Sequence, residues 1–155
     1  MKKIGVLLLA MILLLSLYGC FYQDPVLASL PRYQSEVFYT SGGFQDYTDY
    51  AKYTYDELST EKFENSKYFT ETSSEDIEEI LLYIDDFEQW VEAVSGELEV
   101  NYDFDKNVVT EGDFFCIKTK EGQPIGERTY GKFENYTVYY FDIDTQVMYY
   151  FHNNI

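Results

Sequence analysis

The stretch SSEDIEEILLYIDDFEQWVEAVSG, residues 73–96, decides the fold. Ile77, Ile80, Leu81, Ile84, Phe87, Val91 and Val94 recur at steps of three and four, which sets them on one stripe of an α-helix. Tyr83 and Trp90 flank one edge of that stripe. Thr72 or Ser73 supplies a cap, with Glu75 or Asp76 three residues later in capping-box position, and Gly96 closes the far end. The spacing predicts a helix over about residues 73–95. Its opposite face is acidic, carrying Glu75, Glu78, Glu79, Asp85, Asp86 and Glu92. The early acids suit the helix dipole, but Glu92 opposes it. Glu75–Glu79 and Glu88–Glu92 are like-charge pairs, each costing about 0.2–0.5 kcal/mol. No Lys or Arg falls between Lys67 and Lys106, so tertiary packing has to hold this helix.

Downstream, the period changes from 3.6 to two. Leu98 to Phe104 alternates as a strand does, and Asp113 to Thr119 reads as another. Glu121, Gly122 and Pro124 mark a turn, and Arg128 to Phe133 fits a single helical turn. Tyr136–Phe141 and Val147–His152 are aromatic runs joined across Asp142-Ile-Asp-Thr145, a β-hairpin pattern. Upstream, Val37 to Tyr55 is dense in Tyr, Thr and Phe and broken at Ser41-Gly42-Gly43. Tyr47, Tyr50, Tyr53 and Tyr55 follow neither period, and only the β-favouring composition argues for extended chain. Asp56 to Ser66 reads as surface loop and Lys67 to Thr70 as a short strand. The expected class is α+β, one long amphipathic helix packed on an antiparallel sheet of about four strands.

Composition narrows the partners. The 155 residues carry 28 acidic and 11 basic side chains, a net charge of −17. Such a field repels nucleic acid and other polyanions, and is compatible with basic proteins or divalent cations. Mutual repulsion is expected to raise folded carboxylate pKa values, so that stability grows as pH falls. Seventeen Tyr and 12 Phe favour sheet and half-buried surfaces.

The first twenty residues give an address. Lys2 and Lys3 precede Ile4 to Leu17, an aliphatic run interrupted only by Gly5, Ala10 and Ser16. This is an export-signal pattern, too short for an ordinary membrane span. Its end, Leu17-Tyr18-Gly19-Cys20, resembles the lipobox of bacterial lipoproteins. That resemblance implies cleavage before Cys20, a diacylglycerol on the Cys20 thiol, and extracytoplasmic anchoring to the membrane through that lipid. Residues 1–19 would then be signal peptide, 20–36 a lipidated N-terminus and short tether reaching ~50 Å at most, and 37–155 a single domain. Removing the signal takes away Lys2 and Lys3 but no acid, so the mature chain is more negative still. The C-terminal half resembles small secreted proteins of low-GC bacteria, a likeness that implies no activity.

Few residues point to chemistry. Cys116, in Asp113-Phe-Phe-Cys-Ile-Lys118, reads as an inert core thiol. His152 is the only histidine and reads as an exposed strand-end residue. Asp103, Asp105, Asn107 and Glu111 are candidate calcium ligands by spacing. Val108 and Phe114 stand where a calcium loop needs Gly and a bidentate Glu, so a turn is the preferred reading and no metal is expected. A carboxylate pair for glycoside hydrolysis cannot be picked from so many acids. Tyr83 and Trp90 on the helix edge, beside Phe87, are candidates for an aromatic binding surface. Tyr139, Tyr140, Tyr149 and Tyr150 of the hairpin are others, although core packing is the preferred reading for all of them, since one helix on one sheet must fill its interior. The expected function is a tethered, non-catalytic interaction or ligand-binding module with no cofactor. Its rivals are a carbohydrate- or cell-wall-binding protein and a two-carboxylate hydrolase.

Overall fold

A computed structural model describes residues 24–42, 46–94 and 102–154. The signal, Cys20 and the first residues of the predicted 98–104 strand lie outside them. The chain divides into two units at Leu30–Pro31. In the first, Asp24 starts a single 3-10 turn over Leu27–Ser29, its carboxylate accepting from the Val26 amide at 2.8 Å.

The second unit is α+β. Its strands are β1 (Ser35–Gly42), β2 (Tyr47–Thr54), β3 (Thr70–Glu71), β4 (Phe114–Thr119), β5 (Pro124–Ile125), β6 (Arg128–Thr129), β7 (Asn135–Asp142) and β8 (Val147–Asn154). Its helices are α1 (Thr60–Glu64) and α2 (Ser74–Val94). Six strands make one sheet in the order β1-β2-β8-β7-β4-β3, antiparallel at every pairing, and β5–β6 is a separate small hairpin. The sheet is larger than the four strands expected because Val37–Tyr55 supplies a full hairpin and Thr70–Glu71 a short edge strand, while the predicted 98–104 strand contributes none of its described residues.

α2 packs its predicted stripe onto one face of the sheet. Ile80, Ile84, Phe87 and Val91 are buried against Tyr50 of β2, Tyr136, Val138 and Tyr140 of β7, and Phe151 of β8. Asp76 ties back the start of the helix: its Oδ2 accepts from the Ser73 amide at 2.9 Å, as the N3 side chain of a capping box does, and its own amide donates to the Ser73 backbone carbonyl at 3.1 Å. The β7–β8 turn is built by Asp142, whose side chain accepts from the amides of Asp144 and Thr145 at 2.9 and 3.2 Å. Gln146, at φ 59°, completes it in a left-handed conformation.

Three expectations are corrected. Asp56–Ser66 is not simply surface loop: it contains α1, and Phe63 is fully buried against the sheet face opposite α2. Residues 102–104 form no strand, although Tyr102 and Phe104 do point inward. Tyr102 lies 5.0 Å from the Tyr50 ring and Phe104 4.8 Å from Tyr149. Arg128–Thr129 is the second strand of a small hairpin and not a helical turn, because Gly126 at φ 60° reverses the chain just before it.

Candidate functional site

An acidic chain short of cations has to find other donors for its carboxylates, and here tyrosine supplies them. Tyr50 donates to Asp103 at 3.0 Å, Tyr102 to Glu88 at 3.0 Å, Tyr136 to Asp86 at 2.8 Å, and Tyr140 to Asp113. Burial, with the neighbouring carboxylate adding to it, raises the pKa of each of these four phenols well above its ordinary value. They remain neutral donors over the working pH range. These hydrogen bonds connect β2, β7, α2 and the segment between α2 and β4.

The carboxylates do not respond as repulsion alone would have them. Burial pushes Asp86 above the usual range, opposed by the hydrogen bond from Tyr136. Hydrogen bonds from Ser73 hold Asp76 low, and those from the Gly131 amide and Arg128 hold Glu134 low. At Asp103, burial pushes upward, but the bonds from Lys52 and Tyr50 and the Lys52 charge prevail and leave it low. The signs therefore differ. Asp86 binds its proton more readily when folded, so its contribution grows as pH falls from its raised value toward the ordinary carboxylate pKa. Asp76, Asp103 and Glu134 contribute above the ordinary value and lose that contribution as pH falls through their depressed ones. Stability is expected to peak at mildly acidic pH. Tyr136→Phe should cost about 1 kcal/mol near neutrality, Asp86 being half-exposed, and steepen the gain on acidification. Chemical denaturation at stepped pH measures both; an unchanged slope in Tyr136→Phe would refute the assignment.

The sequence-derived candidates fall in separate places. Asp103 pairs with Lys52, and Asp105 caps a 3-10 turn by accepting from the Asn107 amide at 2.9 Å and from its side chain at 2.7 Å. Glu111 lies in the following turn. Among the described residues no three His, Cys, Asp or Glu side chains gather as a cation would require. Tyr83 is not a surface residue. It is 3 % exposed, packed edge-on to Phe133 and Tyr136, because the core extends past the sheet to Phe133. Trp90 is half-buried at the margin of the stripe, and Cys116 is buried on β4.

A group of residues that the sequence does not bring together sits on the sheet face away from α2. The register aligns Thr137 of β7, His152 of β8 and Asp49 of β2 in one row, with Tyr47 and Tyr150 adjoining. All five are half-buried. His152 Nδ1 lies 2.8 Å from the Tyr136 carbonyl oxygen, an atom that can only accept, so Nδ1 carries the ring proton. The Thr137 hydroxyl lies 2.8 Å from the same nitrogen. In the neutral ring Nε2 then presents its lone pair, and the Tyr47 hydroxyl approaches it at 3.3 Å. The Tyr47 and Tyr150 rings lie 5.2 and 6.2 Å from the imidazole. No protein-family model, curated protein or solved structure matches this chain.

Polar edges and aromatic faces in one half-buried row can hydrogen-bond and stack on a ligand. On the same face, one row along, Phe38 of β1 stands opposite Ala51, which is itself opposite Tyr150, and is 48 % exposed. Lone residues in the sequence gave no signal for it. His152 and its neighbours Tyr47 and Asp49 lie about a hundred positions apart, and only strand register brings them together.

Proposed function

We propose that this chain is a membrane-tethered, extracytoplasmic and non-catalytic binding module, anchored by lipid on Cys20 and recognising its partner through the β1–β2–β8 corner of the sheet. One observation carries the reading. Tyr47, Asp49, Tyr150 and His152 come together half-buried on one face of β2 and β8, and the exposed Phe38 of β1 lies on that same face. Photo-cross-linking in cells tests it. Benzoylphenylalanine in place of Tyr47 should give a discrete adduct, and the same probe at Glu127, on the β5–β6 turn, should not. Adducts of equal yield at both positions would reject the corner as the site.

Anchoring has its own test. Cys20→Ser is expected to abolish incorporation of labelled fatty acid and release the protein from membranes. Label persisting in Cys20→Ser, or wild-type protein free in the medium at full mature length, would overturn the lipidation reading.

A second reading is favoured by the pair of rings flanking His152, with Asp49 in register between strands. Stacking rings next to a carboxylate are what a sugar requires. Sedimentation with purified peptidoglycan, lost in Tyr47→Ala and kept in Trp90→Phe, would favour cell-wall carbohydrate over a protein partner.

A further inference from the structure

The two edges of the six-stranded sheet are built differently. At one edge β3 is only two residues long. Beyond it β4 carries Lys118, whose ammonium lies 5.9 Å from the Tyr68 ring centre, with that of Lys67 at 4.8 Å. Short strands and lysines are how folded proteins keep an edge from pairing with foreign chains. The opposite edge has neither safeguard. β1 runs eight residues and pairs with β2 at every one, from Ser35–Thr54 to Gly42–Tyr47, without a bulge. It contains no Lys, Arg or Pro. Among the described residues its outer side meets no strand. Val37 and Phe38 are 41 % and 48 % exposed, and alternation along the strand puts them on opposite faces. A long edge with apolar groups on both faces is a template for one more strand.

Resting on the binding-module reading, we propose that β1 is a strand-addition site for an extended, basic segment of a partner protein. The outer backbone N–H and C=O groups of β1 take the main-chain hydrogen bonds, which give affinity. Alternate apolar side chains of the incoming segment cover Val37 on the α2 face, and the basic ones between them lie on the face of Glu36 and Phe38. A Lys or Arg opposite the exposed Glu36 sets the register. Charge chooses the occupant. Glu36, Asp46 and Asp49 lie on or beside this edge, Lys52 behind it is paired with Asp103, and the chain as a whole carries −17. A second copy would bring the same field against itself, whereas a basic segment is drawn in.

The test uses the full chain in detergent and three octapeptides. One alternates lysine and valine, one replaces lysine by glutamate, and one keeps the lysines but replaces the valines by proline. The lysine–valine peptide should bind saturably and slow amide exchange over residues 35–42. The glutamate and proline peptides should bind at least tenfold more weakly. Val37→Lys with Phe38→Lys should weaken the first peptide at least tenfold at an unchanged melting temperature, since both side chains are exposed. Equal binding of the proline peptide would mean diffuse charge attraction and would overturn strand addition, even if the variant failed to fold. So would protection that falls outside β1. Protection of β1 in the peptide-free chain, rising with protein concentration alongside a dimer, would assign the edge to a second copy and overturn the basic occupant. Failure of these peptides while the Tyr47 cross-link persists would reject this proposal alone and leave the module reading in place.

Discussion

Phe63→Ala should destabilise the fold by about 3–5 kcal/mol and lower the melting temperature by about 10 °C. Phe63 is fully buried, with its ring 4.4 Å from Phe141, 4.8 Å from Phe114 and 5.1 Å from Phe69. It is the one apolar residue of α1, a five-residue helix too short to persist without packing. Removing the ring leaves a cavity between α1 and the sheet, which rigid strands cannot close. Phe63→Leu keeps most of the volume and should cost under about 1.5 kcal/mol. A surface-loop residue, by contrast, would change stability by no more than about 0.5 kcal/mol. Denaturant unfolding of the three proteins decides between these, and a loss below 1 kcal/mol for Phe63→Ala would mean that α1 does not pack as described.

How much of this was legible in the sequence follows from what periodicity measures. α2 was readable because one helix buries one stripe, and β7–β8 because two aromatic runs flank a turn that Asp142 builds. β1–β2 was not, because β2 is covered on both faces: Tyr50 points toward α2, while Ala51 and Tyr53 are buried on the other side. A strand buried on both faces loses its period of two. The alternation of Tyr102, Asp103 and Phe104 was real, yet it reported which side chains face inward and said nothing of a hydrogen-bonded neighbour. α1 offered one Phe among polar residues, too little to show any period. Tyr83 was assigned to the helix margin because Phe133, which covers it, lies fifty residues downstream.

The candidate site was hidden for a related reason. His152 looked ordinary in isolation, and its fixed tautomer depends on a carbonyl supplied by the neighbouring strand. The acidic surplus, read as a source of repulsion, proved to be organised by tyrosines. Phenols donate without adding charge, so the chain holds its carboxylates in place and still keeps the negative field that selects among partners.

Asp113→Ala is the sharpest test of that organisation. Asp113 is 3 % exposed and accepts three hydrogen bonds: from the Thr110 hydroxyl at 2.9 Å, the Ile143 amide at 3.0 Å, and the Tyr140 hydroxyl. The Tyr140 oxygen in turn accepts from the Thr110 amide at 2.8 Å. One carboxylate thus joins the chain entering β4, the β7 strand and the β7–β8 turn. Alanine would leave the half-buried Ile143 amide without its acceptor and the buried Tyr140 phenol with the Val108 carbonyl at 3.2 Å as its nearest one, while the hydroxyl of the exposed Thr110 turns to water. Each group that loses its acceptor in the interior costs about 1–3 kcal/mol. Local relaxation recovers part of that sum, so a loss of about 3–4 kcal/mol is expected. Tyr140→Phe removes one donor from Asp113 and one acceptor from Thr110, for about 1.5–3 kcal/mol. Because the two share one network, the double variant should lose at least 1 kcal/mol less than the two single losses together. The row proposed to bind the partner lies on the other side of the sheet, so the single variants should keep the Tyr47 cross-link at temperatures where they remain folded. Strict additivity, or an Asp113→Ala loss below 1 kcal/mol, would show that tyrosine and carboxylate do not act as a unit.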